Sequence, residues 1–311
     1  MLAGYQGPPF TDRQVRTWLR DAFYDGGVSV PLPADRNYEA IPDPEFAKSE
    51  REAEFQYAIP VRQGTYELHL YFIEARQANG PDNPQLFRIL INGQVVLNYF
   101  DVLSEAGASN RLTSRVFRDV TPGTDGRIHL AFQQLGRKPI LTALELLSSK
   151  PGRVRPVRIV AARESVTDSD GSLLMADEYA VGGMLVERQD TIGDSELKTL
   201  YAGEHYGNFA YHIPVPPGKY RVKLYFAETF FGSKLPFAGS GETGARLFNV
   251  FCDGTTLLRN FDVTREAGGS NRAVVRTFDN LEPNAQGKIV LEFVPVRNYA
   301  EVNAIEVTQV G

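Results

Sequence analysis

The chain has 311 residues and a formal net charge of −5 at pH 7, with 42% hydrophobic and 23% charged residues. This composition is typical of a folded globular protein, and the negative charge argues against binding to nucleic acid or to an anionic membrane. No apolar run approaches the roughly 18 residues that a membrane-spanning helix needs, and the first residues lack the pattern of a signal peptide, so we expect neither feature.

A repeat covers nearly the whole sequence, and at this length it predicts two domains of one kind. The segment FQYAIPV at 55–61 recurs as FAYHIPV at 209–215. Likewise, the segment FDV at 100–102 recurs at 261–263. The second copy is the longer one, and its extra residues fall within 228–248.

The two copies are joined by the segment 148–153, which contains serine, proline, glycine and basic residues. Such a composition is typical of a linker. We therefore place domain 1 at 1–148, the linker at 149–156 and domain 2 at 157–311. Domains of this size can each bury a hydrophobic core of their own.

In each domain, the first well-marked strand shows alternating apolar and polar residues. The apolar members are predicted to face a core: Tyr66, Leu68, Leu70 and Phe72 in domain 1, and Tyr220, Val222, Leu224 and Phe226 in domain 2. The residues between them are predicted to face solvent, as expected for a half-buried strand: Glu67, His69 and Tyr71 in domain 1, and Arg221 in domain 2.

A hairpin comes next in each domain. Asn-Gly at 92–93 and Asp-Gly at 253–254 are favoured in tight turns because both positions tolerate a positive φ. Cys252, the only cysteine, lies in line with the apolar residues of the strand before the second turn. We therefore expect Cys252 to be buried and unreactive.

Further apolar runs close each domain, at 128–132 and 144–146 in domain 1 and at 289–293 and 305–307 in domain 2. Many short strands separated by turn residues, with no long helical pattern, predict a sandwich. The predicted fold class is therefore all-β, with two tandem antiparallel β-sandwich domains.

Residues suited to catalysis or metal binding are few. The four histidines show no metal-type spacing, a single cysteine cannot form a thiolate cluster, and no nucleophile elbow, P-loop or dinucleotide fingerprint occurs. Glu74 and Glu228 end equivalent strands of different domains, so we expect them to hold loops through backbone hydrogen bonds and not to act as a glycosidase pair. We expect no catalytic residue, no metal and no cofactor.

The repeat carries several motifs: F-x-Y-x-I-P-V at 55–61 and 209–215, L-x-F-A-E at 224–228, F-x-V-x-x-D-G at 248–254 and F-D-V at 261–263. Together they resemble the malectin family of carbohydrate-binding modules, over most of both copies. The resemblance implies a jelly-roll-like antiparallel sandwich. It also implies binding of glucose-containing disaccharides through aromatic side chains and an acidic residue on loops at one end.

The resemblance also indicates where a sugar would bind. The family's stacking aromatic pair follows the F-A-E strand and corresponds to Phe230 and Phe231 in domain 2, but to Arg-Gln at 76–77 in domain 1. The family's binding aspartate corresponds to Asn298 in domain 2 and to Arg137 in domain 1. Domain 2 is therefore the better candidate.

Other aromatic residues complete the candidate set. Tyr299, beside Asn298, is either a second platform or a packing residue, and Phe237 lies in the same long loop as the phenylalanine pair. Trp18 aligns near an early binding tyrosine of the family and is either a sugar platform or a buried indole. The candidate carbohydrate-binding residues are Phe230, Phe231, Asn298, Tyr299 and Trp18.

From these residues we expect a non-catalytic carbohydrate-binding protein whose partner is an oligosaccharide or glycan, or else another protein or further domains of a longer chain. The alternative is a structural or protein-interaction module that has lost sugar binding, which the residues of domain 1 at 76–77 and 137 favour. We expect an extracytoplasmic location, periplasmic or extracellular, for a processed or excised part of a longer chain.

Overall fold

A computed structural model of the chain describes residues 1–75, 86–168, 171–187, 192, 198–231 and 243–310. The chain divides into two compact units, Met1–Val154 and Arg155–Gly311. Each unit is built mainly of antiparallel strands, which confirms the predicted all-β class. None of the helices in the described segments is both long and apolar enough to cross a bilayer.

Domain 1 contains two sheets and a short hairpin. Its strands are β1 (Phe10–Thr11), β2 (Thr17–Trp18), β3 (Tyr24–Pro31), β4 (Ser49–Pro60), β5 (Thr65–Ile73), β6 (Leu86–Ile91), β7 (Gln94–Asp101), β8 (Leu112–Val120), β9 (Arg127–Gln134), β10 (Ile140–Leu141) and β11 (Ala143–Ser149). A six-stranded sheet has the order β10-β4-β9-β6-β7 with β3 on β4, a three-stranded sheet has the order β11-β5-β8, and β1 pairs with β2. A 3₁₀ helix (Pro44–Ala47) and helix α1 (Val102–Ala106) complete the domain.

Domain 2 repeats this plan. Its strands are β12 (Val157–Val160), β13 (Val166–Thr167), β14 (Leu173–Leu174), β15 (Ala180–Glu187), β16 (Gly203–Pro214), β17 (Tyr220–Phe226), β18 (Leu247–Cys252), β19 (Thr255–Phe261), β20 (Val274–Leu281), β21 (Lys288–Arg297), β22 (Ala300–Val302) and β23 (Ala304–Gln309). One sheet has the order β15-β16-β21-β18-β19 with β22 on β16, the other has the order β12-β23-β17-β20, and β13 pairs with β14. A 3₁₀ helix (Lys198–Tyr201) and helix α2 (Val263–Ala267) are also present.

The core of each domain lies between its two main sheets. The predicted inward residues of β17 are all buried there, and so are Leu68, Leu70 and Phe72 of β5, while Tyr66 packs half-buried at the edge. Cys252 belongs to the core of domain 2 and is 5% exposed, as predicted. Burial, followed by the neighbouring Asp253, raises the pKa of the Cys252 thiol to about 12.

The solvent face predicted for β5 is wrong at two positions. Glu67 is only 2% exposed and Tyr71 is buried, whereas Arg221 on the equivalent strand of domain 2 is exposed as expected. Tyr71 is buried because β2 and the 3₁₀ helix of domain 1 form an additional layer over β5. In this layer, Trp18 and Phe46 cover the outer face of the strand. Alternation within one strand cannot reveal a layer supplied by distant residues.

The two predicted hairpin turns have the expected backbone. Asn92 and Gly93 have φ of 48° and 79°, and Asp253 and Gly254 have φ of 46° and 80°. Positive φ at both central positions is the requirement that selects Asn-Gly and Asp-Gly in tight hairpins. These turns connect β6 to β7 and β18 to β19 in the same way, so the sheet that bears the candidate site is built alike in both domains.

Candidate functional site

A cavity of about 300 Å³ opens in domain 2 where β17 and β21 end and β18 begins. Its lining residues are Glu204, Tyr206, Phe230, Phe231, Arg246, Asn298 and Tyr299. The structure thus brings Phe230, Phe231, Asn298 and Tyr299, which are far apart in the sequence, to a single place. Glu204, Tyr206 and Arg246 join them without having been singled out in the sequence.

Two aromatic pairs form walls of this cavity. The rings of Phe230 and Phe231 meet edge to face, with centroids 5.1 Å apart and an interplanar angle of 88°. The rings of Tyr206 and Tyr299 lie 5.8 Å apart and are tilted by 60°. Tyr299 is 57% exposed, so part of this aromatic surface is accessible from solvent. Exposed ring faces beside polar groups are the usual lining of a site for an amphipathic ligand.

Glu228 fixes the position of the phenylalanine pair. Its Oε1 accepts hydrogen bonds from the backbone N–H groups of both Phe230 and Phe231, each at 3.0 Å. The Ser270 hydroxyl donates to the carbonyl oxygen of Phe231 at 2.8 Å. The loop-holding role predicted for Glu228 is therefore confirmed, and the loop that carries the aromatic rings is anchored at both its amide and its carbonyl groups.

Arg246 connects the two sides of the cavity. Its Nε donates to Glu228 Oε2 at 2.6 Å, and its Nη1 donates to the carbonyl oxygen of Tyr299 at 3.0 Å. The Arg246 Cζ atom also lies 5.4 Å from the ring centroid of Phe231. One planar guanidinium can donate in several fixed directions. This side chain therefore holds the loop that carries Phe230 and Phe231 in a fixed position relative to the turn that carries Tyr299.

Beneath the cavity, Arg246 is grouped with Glu204, Glu228 and Glu301, and all four side chains are buried. Burial lowers the pKa of Arg246, but the three carboxyl groups outweigh this effect and leave it raised. Burial, reinforced by Glu228 and Glu204 against the opposing attraction of Arg246, raises the pKa of Glu301 well above its usual range. Glu301 therefore releases its proton less readily than an ordinary glutamate.

Asn298 lies at the turn between β21 and β22. Its φ of 55° is in the left-handed region, which asparagine tolerates better than most residues. Its side-chain amide donates to the carbonyl oxygen of Ala245 at 2.5 Å, next to Arg246. The amide thus connects the turn that carries Asn298 and Tyr299 to the start of β18. The side-chain carbonyl oxygen of Asn298 remains an acceptor beside the cavity.

Trp18 is a buried residue of domain 1 and does not line this cavity. The side chain is 2% exposed, and its ring packs edge to face against Phe46 at 4.7 Å and Tyr71 at 5.9 Å. Its Nε1 donates to Asp12 Oδ2 at 2.8 Å. With the side chain buried and its N–H group engaged, Trp18 offers no accessible surface on which a sugar could stack.

Domain 1 has different residues at the positions of the tyrosine pair. The register of β10 on β4 pairs Ile140 with Glu52, just as β22 on β16 pairs Glu301 with Tyr206. Glu52 is thus the counterpart of Tyr206, and Lys138 is the counterpart of Tyr299. Lys138 Nζ lies 3.0 Å from Glu52 Oε1, so an ion pair replaces the two rings. Residues 76–77 and Phe237 lie outside the described residues.

A comparison of the two copies could have revealed Tyr206 from the sequence. The segments Glu50-Arg51-Glu52 and Glu204-His205-Tyr206 match in their first residue and differ in their last. A charged residue replaced by an aromatic one at an equivalent position indicates different roles for the two copies. Arg246 gives no such signal, because a single arginine ahead of a strand looks like an ordinary solvated charge.

The comparisons with known proteins agree with the repeat. A family model described as Malectin domain matches residues 5–143 and 157–305. Two probable LRR receptor-like serine/threonine-protein kinases of Arabidopsis thaliana are 32% identical over 74 residues and 36% identical over 67 residues. These matches cover 24% and 22% of this chain but only 7% and 6% of the kinases, so the similarity spans a small part of those proteins.

Matches to solved plant structures have low sequence identity. The ANXUR2 extracellular domain from Arabidopsis thaliana is 14% identical with a TM-score of 0.48, over 100% of this chain and 95% of that one. The plant receptor-like kinase FER is 15% identical with a TM-score of 0.49, over 99% and 94%. A structure of the plant peptide RALF23 in complex with FER and LLG2 is 15% identical with a TM-score of 0.44, over 96% and 92%.

Proposed function

The chain belongs to the malectin domain family, and we propose that its domain 2 is a non-catalytic module that binds an oligosaccharide in the cavity beside Phe231 and Tyr299. One observation carries this proposal: two aromatic pairs from separate segments of the chain flank a single cavity whose floor is polar. The proposed location is extracytoplasmic, as part of a longer protein.

The two kinds of lining group suit the two surfaces of a sugar. The C–H face of a pyranose stacks on an aromatic ring, and Tyr299 and the phenylalanine pair supply such rings. Sugar hydroxyls need donors and acceptors, and the Asn298 amide and the Glu204 carboxyl group are placed to provide them. The guanidinium of Arg246 is already engaged by Glu228 and by a carbonyl oxygen, so it serves mainly to position the walls.

The size of the cavity limits what it can enclose. Ligand cavities commonly measure about 300–1,000 Å³, and this one lies at the lower end of that range. It therefore suits one sugar unit, with the rest of an oligosaccharide extending along the exposed Tyr299. Such a site depends on a few stacking contacts, and the loss of one ring is expected to cost about 1–2 kcal/mol of binding free energy.

A second function is favoured for domain 1, where the Glu52–Lys138 ion pair takes the place of the tyrosine pair. An ion pair removes the apolar faces that a sugar ring needs but leaves a polar surface compatible with protein contact. We therefore propose domain 1 as a structural or protein-interaction module. If domain 2 also fails to bind glycans, this second function extends to the whole chain.

The experiment is a glycan array with the intact chain, followed by calorimetry on the best ligand. Tyr299→Ala should reduce affinity about tenfold, because 1–2 kcal/mol corresponds to a factor of roughly 5–30. Lys138→Ala at the equivalent position of domain 1 is the matched control and should leave affinity unchanged. Loss of binding in the Lys138→Ala variant alone would place the site in domain 1, and an array without a hit would refute the carbohydrate proposal.

A further inference from the structure

A second cavity in domain 2, about 100 Å³ in volume, lies beside the four-stranded sheet β12-β23-β17-β20. Its lining includes Asp168, Leu174, Leu200, Tyr225, Ala304 and Glu306. None of the residues that line the larger cavity takes part in it, and the larger cavity is carried by the other sheet. The two sites are therefore separate.

The equivalent place in domain 1 is filled by the chain itself. Trp18 pairs with Phe10 in the β1-β2 hairpin, and Leu174 pairs with Val166 in the β13-β14 hairpin, so Trp18 and Leu174 occupy the same position. Tyr71 pairs with Ala143 in the same way as Tyr225 pairs with Ala304. The sheet and the hairpin thus match in the two domains, and the side chain between them differs.

The contacts of Trp18 describe what fits at this position. Its indole meets the Tyr71 ring edge to face at 5.9 Å and 82°, and its Nε1–H donates to Asp12 Oδ2 at 2.8 Å. The Phe46 ring closes a further side at 4.7 Å. An indole is therefore held at this position by one aromatic wall, one apolar wall and one carboxylate acceptor.

Domain 2 keeps the wall and the acceptor but lacks the indole. Tyr225 corresponds to Tyr71 and Asp168 to Asp12, whereas Leu174 replaces Trp18 and Leu200 replaces Phe46. Both replacements are smaller, whereas Tyr201 in place of Ala47 is larger, and a cavity of about 100 Å³ is the space that remains. The Tyr201 ring also meets Tyr225, at 6.4 Å, but does not line the cavity.

We propose that this cavity of domain 2 binds an indole-type ligand, that is, an aromatic ring that carries an N–H donor. The ring lies edge to face against Tyr225, next to Leu174 and Leu200, and its N–H group donates to the Asp168 carboxylate. An apolar cavity of about 150 Å³ takes up benzene, so a cavity of 100 Å³ accepts part of a bicyclic ring while the remainder projects outward. The ligand is either a free indole compound or a tryptophan side chain of another protein.

The test is calorimetry on the intact chain with three probes: indole, 1-methylindole and N-acetyltryptophanamide. Indole is expected to bind at one site per chain. 1-Methylindole should bind at least tenfold more weakly, because it cannot donate to a charged acceptor. Binding of indole alone would identify a free small molecule as the ligand, and binding of N-acetyltryptophanamide as well would identify a protein side chain. No heat with either N–H probe at millimolar concentration would overturn the proposal.

Variants show whether this cavity is responsible for the binding of indole. Leu174→Trp reproduces the filled state of domain 1 and should abolish indole binding without lowering the melting temperature. Asp168→Asn should weaken indole but not 1-methylindole. Tyr299→Ala, in the proposed glycan site, should leave indole binding unchanged, so failure of either proposal can be distinguished from failure of the other.

A converse variant keeps the proposal testable if Leu174→Trp does not fold. Trp18→Leu combined with Phe46→Leu opens the equivalent space in domain 1 and should raise the stoichiometry of indole from one to two per chain. Indole binding that persists in a folded Leu174→Trp variant, or a stoichiometry that stays at one in a folded double variant, would show that the ring binds elsewhere.

Discussion

Replacement of Glu301 by glutamine should stabilise domain 2 at neutral pH. Glu301 is fully buried beside Glu204, Glu228 and Arg246, and burial is the main reason that its pKa is raised. Glutamine has the same shape as the neutral acid but never ionises. The variant therefore removes the titration of this side chain while it keeps the packing of the floor beneath the cavity.

The direction in which the unfolding free energy changes with pH follows from proton linkage. Between the pKa of an unfolded glutamate, about 4.3, and the raised pKa of folded Glu301, the folded state keeps a proton that the unfolded state has released. The unfolding free energy of the wild type therefore falls as pH rises through this interval. Each unit by which the pKa is raised amounts to about 1.4 kcal/mol, which in a domain of this size corresponds to roughly 3–6 °C in melting temperature.

The assay is thermal unfolding of the intact chain from pH 4 to pH 8 with wild type and Glu301→Gln. The difference between the two melting temperatures should be small near pH 4 and should grow with pH, in favour of the variant. Glu282→Gln, an exposed glutamate of the same domain, is the control and should not change the pH profile. A difference between Glu301→Gln and wild type that is constant with pH would refute the reasoning, because it would mean that Glu301 ionises as easily in the folded as in the unfolded state.

Other predictions concern single side chains. Arg246→Lys should weaken glycan binding in calorimetry and lower the melting temperature, because an ammonium group cannot bond Glu228 and the Tyr299 carbonyl in one fixed geometry; equal affinity would contradict this role. Cys252, with its pKa raised to about 12, should react with a thiol reagent at pH 8 only when domain 2 unfolds, and fast labelling of the folded chain would disprove its burial. Trp18→Ala should destabilise domain 1 by about 3–5 kcal/mol in denaturant unfolding and leave glycan affinity unchanged.

The main features of the fold could be predicted from local patterns. Alternation along 220–226, together with Asn-Gly and Asp-Gly at the hairpin turns, determined which residues face the core and where strands reverse. These signals depend on neighbouring residues in the sequence. The burial of Glu67 and Tyr71 could not be predicted in the same way, because the layer over Tyr71 is supplied by Trp18 and other residues far away in the chain.

The candidate site was predictable only where the two copies differ visibly. The family resemblance and the different residues in domain 1 indicate Phe230 and Asn298 as candidates. Arg246 could not be predicted, because its role depends on its partners, Glu228 and the carbonyl oxygen of Tyr299, which come from two other segments of the chain. A hydrogen-bond network of this kind leaves no spacing or composition that a sequence can show.

The two domains explain how one scaffold can carry different surfaces. Domain 1 fills its outer layer with Trp18 and places the Glu52–Lys138 ion pair where domain 2 has two tyrosines. Domain 2 has Leu174 and Tyr299 at the same positions and is open at both. In each case the strands and their register are the same, so the difference between a packed or charged position and a cavity lies in the side chains. A duplicated fold can therefore keep the same core in both copies while the surfaces of the two copies differ.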